Sequence, residues 1–245
     1  MNSKFLIAIA MTLSATPFGN AVAAPMAASM NLRADVGIGA ATTSYSSAQS
    51  WGPVLSPLAV SASASVSPAG TAYTALAQGQ GAATWGAGGN SGSVTFTNYG
   101  WTVQSGGSRL VTYAGLASGL DDWSYTFVAD GNSVFSMNYA VSATGFTFGL
   151  WGWSILWSGP GGSFFVSNAA DPTANGVFAR QLASGQQYTV SLRNNANISG
   201  EDGFDLSGYM NGQFDWTIRA VPEPGSLALL MMGLCGLAAS RRRSI

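Results

Sequence analysis

Phe135, Met137, Tyr139 and Val141 alternate with Ser136, Asn138, Ala140 and Ser142. A period of two puts the apolar set on one face of an extended strand and the polar set on the other. Tyr188, Val190 and Leu192 repeat the pattern against Thr189, Ser191 and Arg193, and Phe214, Trp216 and Ile218 repeat it against Asp215, Thr217 and Arg219. The body of the chain has no sustained helical apolar period to compete with it. Each such strand must bury one face, so it needs a second layer above it. The alternation therefore predicts an all-β body, a single β-sandwich or jelly-roll-like domain of short strands joined by Gly-rich turns.

Other segments fit the same plan. Met30, Leu32, Ala34, Val36 and Ile38 share one parity and predict a first strand. Leu58, Val60, Ala62, Ala64 and Val66 do so with smaller side chains. Residues 94–103, 109–114, 123–128, 146–157, 163–167 and 177–182 are short β-prone runs, and 86–92 is a turn or loop. Residues 24–92 are rich in Ala, Ser, Gly and Thr. Small faces bury little area per residue, so part of this stretch also suits a flexible spacer. No internal repeat or second boundary divides the body, which is read as one exported domain over 24–220.

Charged residues make up 8% of the chain, against a usual ~25%. Trp, Phe and Tyr are plentiful, which excludes the disordered class. Lys4 is the sole lysine, and residues 24–224 set Arg33, Arg109, Arg180, Arg193 and Arg219 against all ten acidic residues. Phosphate tracking needs clustered cations, so no nucleic-acid partner is expected. The chain has no His, and its one Cys, Cys235, lies in an apolar run near the C-terminus. The body can therefore assemble no Ser-His, Cys-His or Ser-Lys pair and no common zinc site. A non-enzymatic body without a cofactor is expected.

Carboxylates are what remain for chemistry: Asp121, Asp122, Asp130, Asp171, Glu201, Asp202, Asp205 and Asp215. A glycosidase needs two of them facing one bond, and a carboxylate-dependent glycan hydrolase is the weaker alternative function. Their ordinary reading is solvated turn residues. Asn195, Asn197, Ser199, Glu201 and Asp205 place oxygens near the spacing of a calcium loop, although Leu206 stands where a bidentate Glu is needed. Trp151, Trp153 and Trp157 share a parity with Ile155. Exposed, they form a stripe for stacking sugar rings, which is the carbohydrate-binding alternative; buried, they are core, the reading favoured here.

Both ends differ from the body. Lys4, the apolar run Phe5 to Leu13 and the small residues Ala21 and Ala23 give a signal-peptide layout over 1–23, with the cut expected after Ala23. Residues 221–245 hold Pro222-Glu223-Pro224, an apolar run including Leu227, Leu229, Leu230, Met231, Met232, Leu234 and Leu237, and the cluster Arg241-Arg242-Arg243. The prolines resist helix and keep the entry extended. At ~1.5 Å per residue the run Leu227 to Ala239 is roughly 20 Å as a helix, short for a ~30 Å hydrocarbon core. The arginines mark a cytoplasmic stop-transfer end.

This three-part ending resembles the PEP-CTERM sorting signal of Gram-negative bacteria. The resemblance covers only about the last tenth of the chain. It implies a transmembrane helix that is temporary. It also implies an exosortase as partner, cutting near Pro222-Glu223-Pro224, after the general secretion machinery and signal peptidase have delivered the body. An inner-membrane-tethered intermediate with a cytoplasmic C-terminus is then expected, followed by the cell surface or extracellular matrix. Exopolysaccharide or a biofilm is the expected surrounding, and the body matches no family by its own motifs.

Overall fold

Met30, Leu32, Ala34, Val36 and Ile38 are all buried along one face of the first strand, β1 (Val22–Ile38). In the computed structural model the described residues are 22–52, 56–106, 110–116, 121–145, 150–167, 173–202, 205–221 and 232–233. The strands after β1 are β2 (Ala41–Trp51), β3 (Leu58–Val66), β4 (Thr74–Trp85), β5 (Ser91–Gln104), β6 (Leu110–Leu116) and β7 (Trp123–Asp130). They continue as β8 (Ser133–Thr144), β9 (Leu150–Gly159), β10 (Gly162–Ser167), β11 (Thr173–Leu182), β12 (Gln187–Asp202) and β13 (Leu206–Ala220). All of them belong to one unit, Ala21–Val221.

Two sheets, antiparallel throughout, form the architecture expected from the alternation. The first has the order β10-β9-β12-β6-β1-β2, with β7 also pairing β1 and β12. The second has the order β11-β8-β13-β5-β4-β3. The slot between β1 and β12 is filled twice. β7 occupies one half, against Val22–Met30 and Gln187–Leu192. β6 occupies the other, against Ala34–Ile38 and Ala196–Asp202. Between them the ladder is interrupted.

The core is where inward rings from the two sheets meet. Tyr125 of the first sheet lies 4.9 Å from Trp216 of the second, centroid to centroid. Trp157 lies 5.2 Å from Phe135, and Trp153 lies 4.7 Å from Tyr139. Separations of this size are those of attractive tilted and edge-to-face ring pairs.

The described part of the small-residue stretch forms strands β1 to β4; residues 53–55 lie outside the described residues. Its thin face is complemented by large side chains opposite. A Cβ on Gly79 would stand 3.1 Å from Leu116 Cδ2 and 3.2 Å from Tyr99 Cδ2, and one on Gly81 would stand 3.1 Å from Met30 Sδ. Neither β2 nor β4 is legible as alternation. β2 is a hydroxyl-rich edge strand with most side chains exposed, and the inward face of β4 is only Ala and Gly, at 75, 77, 79, 81 and 83.

The expected signal helix lies outside the described residues. Of the expected transmembrane helix only Met232 and Gly233 are described; both are exposed and carry helical backbone. Among the described residues no helix is long and apolar enough to cross a membrane.

Candidate functional site

Three sets of residues bear on function: the strand ends where the terminal segments leave, the polar cluster at the ladder gap, and the residues singled out in the sequence.

The first and last described residues of the sandwich lie at one turn. Val22 pairs with Asp130, the last residue of β7. Ala220 pairs with Ser133, the first residue of β8, and the Val221 N–H donates to the Asn132 carbonyl at 3.0 Å. Residues 130–133 thus hold the entry of the first strand and the exit of the last. The proline pair follows Val221 directly in the sequence. Among the residues of the tail, Pro222, Glu223, Pro224, Leu227, Leu229, Leu230, Met231, Leu234, Leu237 and Arg241 to Arg243 lie outside the described residues, and Met232 is exposed.

The expected signal-peptidase site meets the fold. Ala21 lies outside the described residues. Ala23 is fully buried in β1, and its N–H donates to Asn90 Oδ1 at 2.7 Å. Cleavage after Ala23 would remove two residues that are part of the first strand.

Two tryptophans of the stripe are not exposed. Trp153 and Trp157 face the core at 2% and 5% exposure, so neither can stack on a sugar at the surface. Inward parity places them where the core needs large apolar area. The Trp151 side chain lies outside the described residues.

The calcium-loop geometry is also replaced. Residues 195–202 continue β12, paired residue by residue with β6 from Ala196↔Leu116 to Asp202↔Leu110. An extended strand sends alternate side chains to opposite faces and cannot wrap a cation as a loop does. Asn195 and Asn197 bond each other instead, Nδ2 to Oδ1 at 2.7 Å. Asp205 accepts from the Ser105 N–H at 2.8 Å.

Among the described residues no group of three or more potential metal ligands occurs. Asp121 and Asp122 are neighbours in sequence but part company in space. Asp121 pairs with Arg193 at 2.9 Å near the surface, whereas Asp122 is buried at 1% exposure. Asp215 accepts from Gln213. The side chains of Asp171, Glu201 and Asp202 lie outside the described residues.

Asp122 departs from the solvated-turn reading because it sits in the ladder gap between β6 and β7. Its backbone bridges the slot: the Asn31 N–H donates to the Asp122 carbonyl, and the Asp122 N–H donates to the Leu192 carbonyl, both at 2.9 Å. Its carboxylate accepts from the Asn194 N–H, which the gap leaves without a strand partner. Tyr99 reaches across from β5. Its hydroxyl lies 3.0 Å from the Asn194 carbonyl, 3.2 Å from the Leu116 carbonyl and 3.4 Å from Asp122 Oδ1.

Burial pushes the Asp122 carboxyl up to about 8, against the opposing pull of hydrogen bonds from Asn194 and Tyr99. Burial and the nearby Asp122 raise the Tyr99 hydroxyl well above its ordinary value. The cluster supplies hydrogen bonds that the interrupted ladder lacks, which is a structural task. In the sequence, an Asp pair just before a strand looks like any turn, so no signal marked it.

Residues 220–243 match the family model of the PEP-CTERM protein-sorting motif. The chain carries that sorting motif, which implies an exported protein that an exosortase processes. Among curated proteins none matches the chain.

Proposed function

We propose that the chain is a non-enzymatic protein of the cell surface or extracellular matrix, sorted by an exosortase through residues 221–245 and associated with exopolysaccharide. The carrying observation is the sorting motif at 220–243. In this reading the secretion machinery exports the body and signal peptidase removes the first segment. The apolar run Leu227 to Ala239 then holds the chain in the inner membrane, with Arg241 to Arg243 on the cytoplasmic side. The exosortase acts at Pro222-Glu223-Pro224 and frees the domain.

Two observations support this reading. Val22 and Val221, where the described domain begins and ends, both lie against residues 130–133, which suits a domain processed from one end. The body lacks His, Lys and Cys, which favours a binding or structural role.

Deletion of Pro222 to Ile245 tests the sorting step. The truncated body should be exported but lost from its normal surface or matrix location, as followed by fractionation and immunoblotting. Unchanged location would refute sorting by the tail.

A further inference from the structure

We propose that the outer face of the first sheet carries a subsite for a neutral polysaccharide, built on the exposed ring of Tyr113. The proposal rests on the surface-protein reading above and names the chemistry by which the domain would hold its surroundings.

Tyr113 lies on β6 between β1 and β12. It stands directly opposite Gly37 on one side and Ser199 on the other. Gly37 in turn faces Thr42 on β2. The next row of the same face reads Ser44, Asp35, Gly115 and Asn197 across four strands. Gly37 leaves the floor beside the ring at backbone height, whereas the space over Gly115 is filled by Asn197. Asp35, Gly37, Thr42, Ser44 and Tyr113 line a shallow depression of about 320 Å³ there.

The ring is unusual in its setting. Among the described residues only Tyr45 and Tyr113 are exposed aromatics. Tyr45 pairs with the inward residue Ala34 and so belongs to the opposite parity. Tyr113 is therefore the one described aromatic exposed on the outer face of this sheet, at 37%.

The chemistry selects among ligands. The negative face of an aromatic ring attracts polarised C–H groups such as those on one side of a pyranose. Hydroxyls on the sugar edge need acceptors and donors at ring height. Asp35, Ser44, Thr42, Ser199 and Asn197 stand around the ring in register. Arg33 Nε pairs with Asp35 Oδ2 at 2.9 Å on this exposed face. That pair cancels its own charge, so a phosphate or uronate finds no excess of cations. Burial, together with the Asp35 charge, raises the Tyr113 hydroxyl above its ordinary value. It remains a neutral phenol able to donate to a sugar oxygen.

The test is isothermal titration of the full-length protein in detergent micelles. The probes are neutral hexasaccharides of β-glucan, α-glucan and galactan, with a polygalacturonate hexamer as the anionic probe. At least one neutral sugar should bind. Tyr113→Ala should weaken it at least ~tenfold, and Tyr113→Phe should hold it within about threefold, since stacking survives loss of the hydroxyl. Ser44→Trp, which fills the depression and leaves the ring in place, should also block binding. The subsite is overturned if no neutral sugar binds, if Tyr113→Ala and Ser44→Trp bind like the parent, or if the anionic probe is preferred. Near-ultraviolet circular dichroism of each variant checks that the fold is intact. A chain that loses sugar binding nowhere but still needs Pro222 to Ile245 for its location overturns the subsite alone. A chain whose location ignores that deletion overturns the sorting reading, whatever the sugars do.

Discussion

The Tyr99 hydroxyl, on β5 of the second sheet, lies 3.0 Å from the Asn194 carbonyl on β12 of the first. It ties the two layers together at the point where β6 ends and β7 has not yet begun. A phenol carries one proton, yet three acceptors surround it. A protonated Asp122 adds a second donor to the same cluster, which fits the raised carboxyl.

Tyr99→Phe should therefore cost stability beyond a lost surface bond. It leaves buried carbonyls at Asn194 and Leu116 without this donor, a penalty of about 1–3 kcal/mol. Urea denaturation should show a lower midpoint with an unchanged slope. An unchanged midpoint would mean that water or another group satisfies the gap.

The pH dependence of stability should carry the signature of Asp122. In the unfolded chain an Asp titrates near ~3.9; in the fold Asp122 is pushed up to about 8. Its folded value is raised, so its favourable contribution is complete below the unfolded value. That contribution is lost progressively as pH rises towards about 8, because the unfolded state releases the proton first. Melting temperature should fall across that window, and Asp122→Asn, which can still accept the Asn194 N–H, should flatten the profile. A wild-type profile already flat there would contradict a buried neutral carboxyl.

The start of β1 makes a separate test. A chain beginning at Ala24 lacks the buried Ala23 side chain and its N–H bond to Asn90 Oδ1. Compared with a chain beginning at Val22, it should be less stable by about 1–2 kcal/mol, from one lost hydrogen bond and a buried methyl. Thermal melts of the two chains, together with the N-terminal sequence of the exported protein, decide whether the cell keeps those two residues.

Gly81→Val should be poorly tolerated although it only adds apolar atoms. Even the first added carbon would press on Met30 Sδ at 3.1 Å. Overpacking of this kind costs about 1–3 kcal/mol. Met30→Ala in the same chain should recover part of the loss by opening space, and a double-mutant cycle measures that coupling.

The sequence by itself determined the class of fold and the destination. Period-two runs such as Phe135 to Val141 leave little choice but a strand with one buried face. The sorting tail was legible because its three parts act in order along the chain, without needing a partner elsewhere in it. The tertiary structure decided what depends on register between distant strands. Periodicity could not read β2, which is exposed, or β4, whose Ala and Gly face is complemented by Leu116, Tyr99 and Met30. Nor could it set Tyr113 opposite Gly37 or bring Tyr99 to Asn194, 95 residues away. Trp153 and Asp122 show the same limit: local spacing gives parity, but which side is covered depends on the sheet that packs against it. Burial is a property of the assembled layers: it put Trp153 and Trp157 in the core, as favoured, and turned an expected turn carboxylate into the plug of a broken ladder.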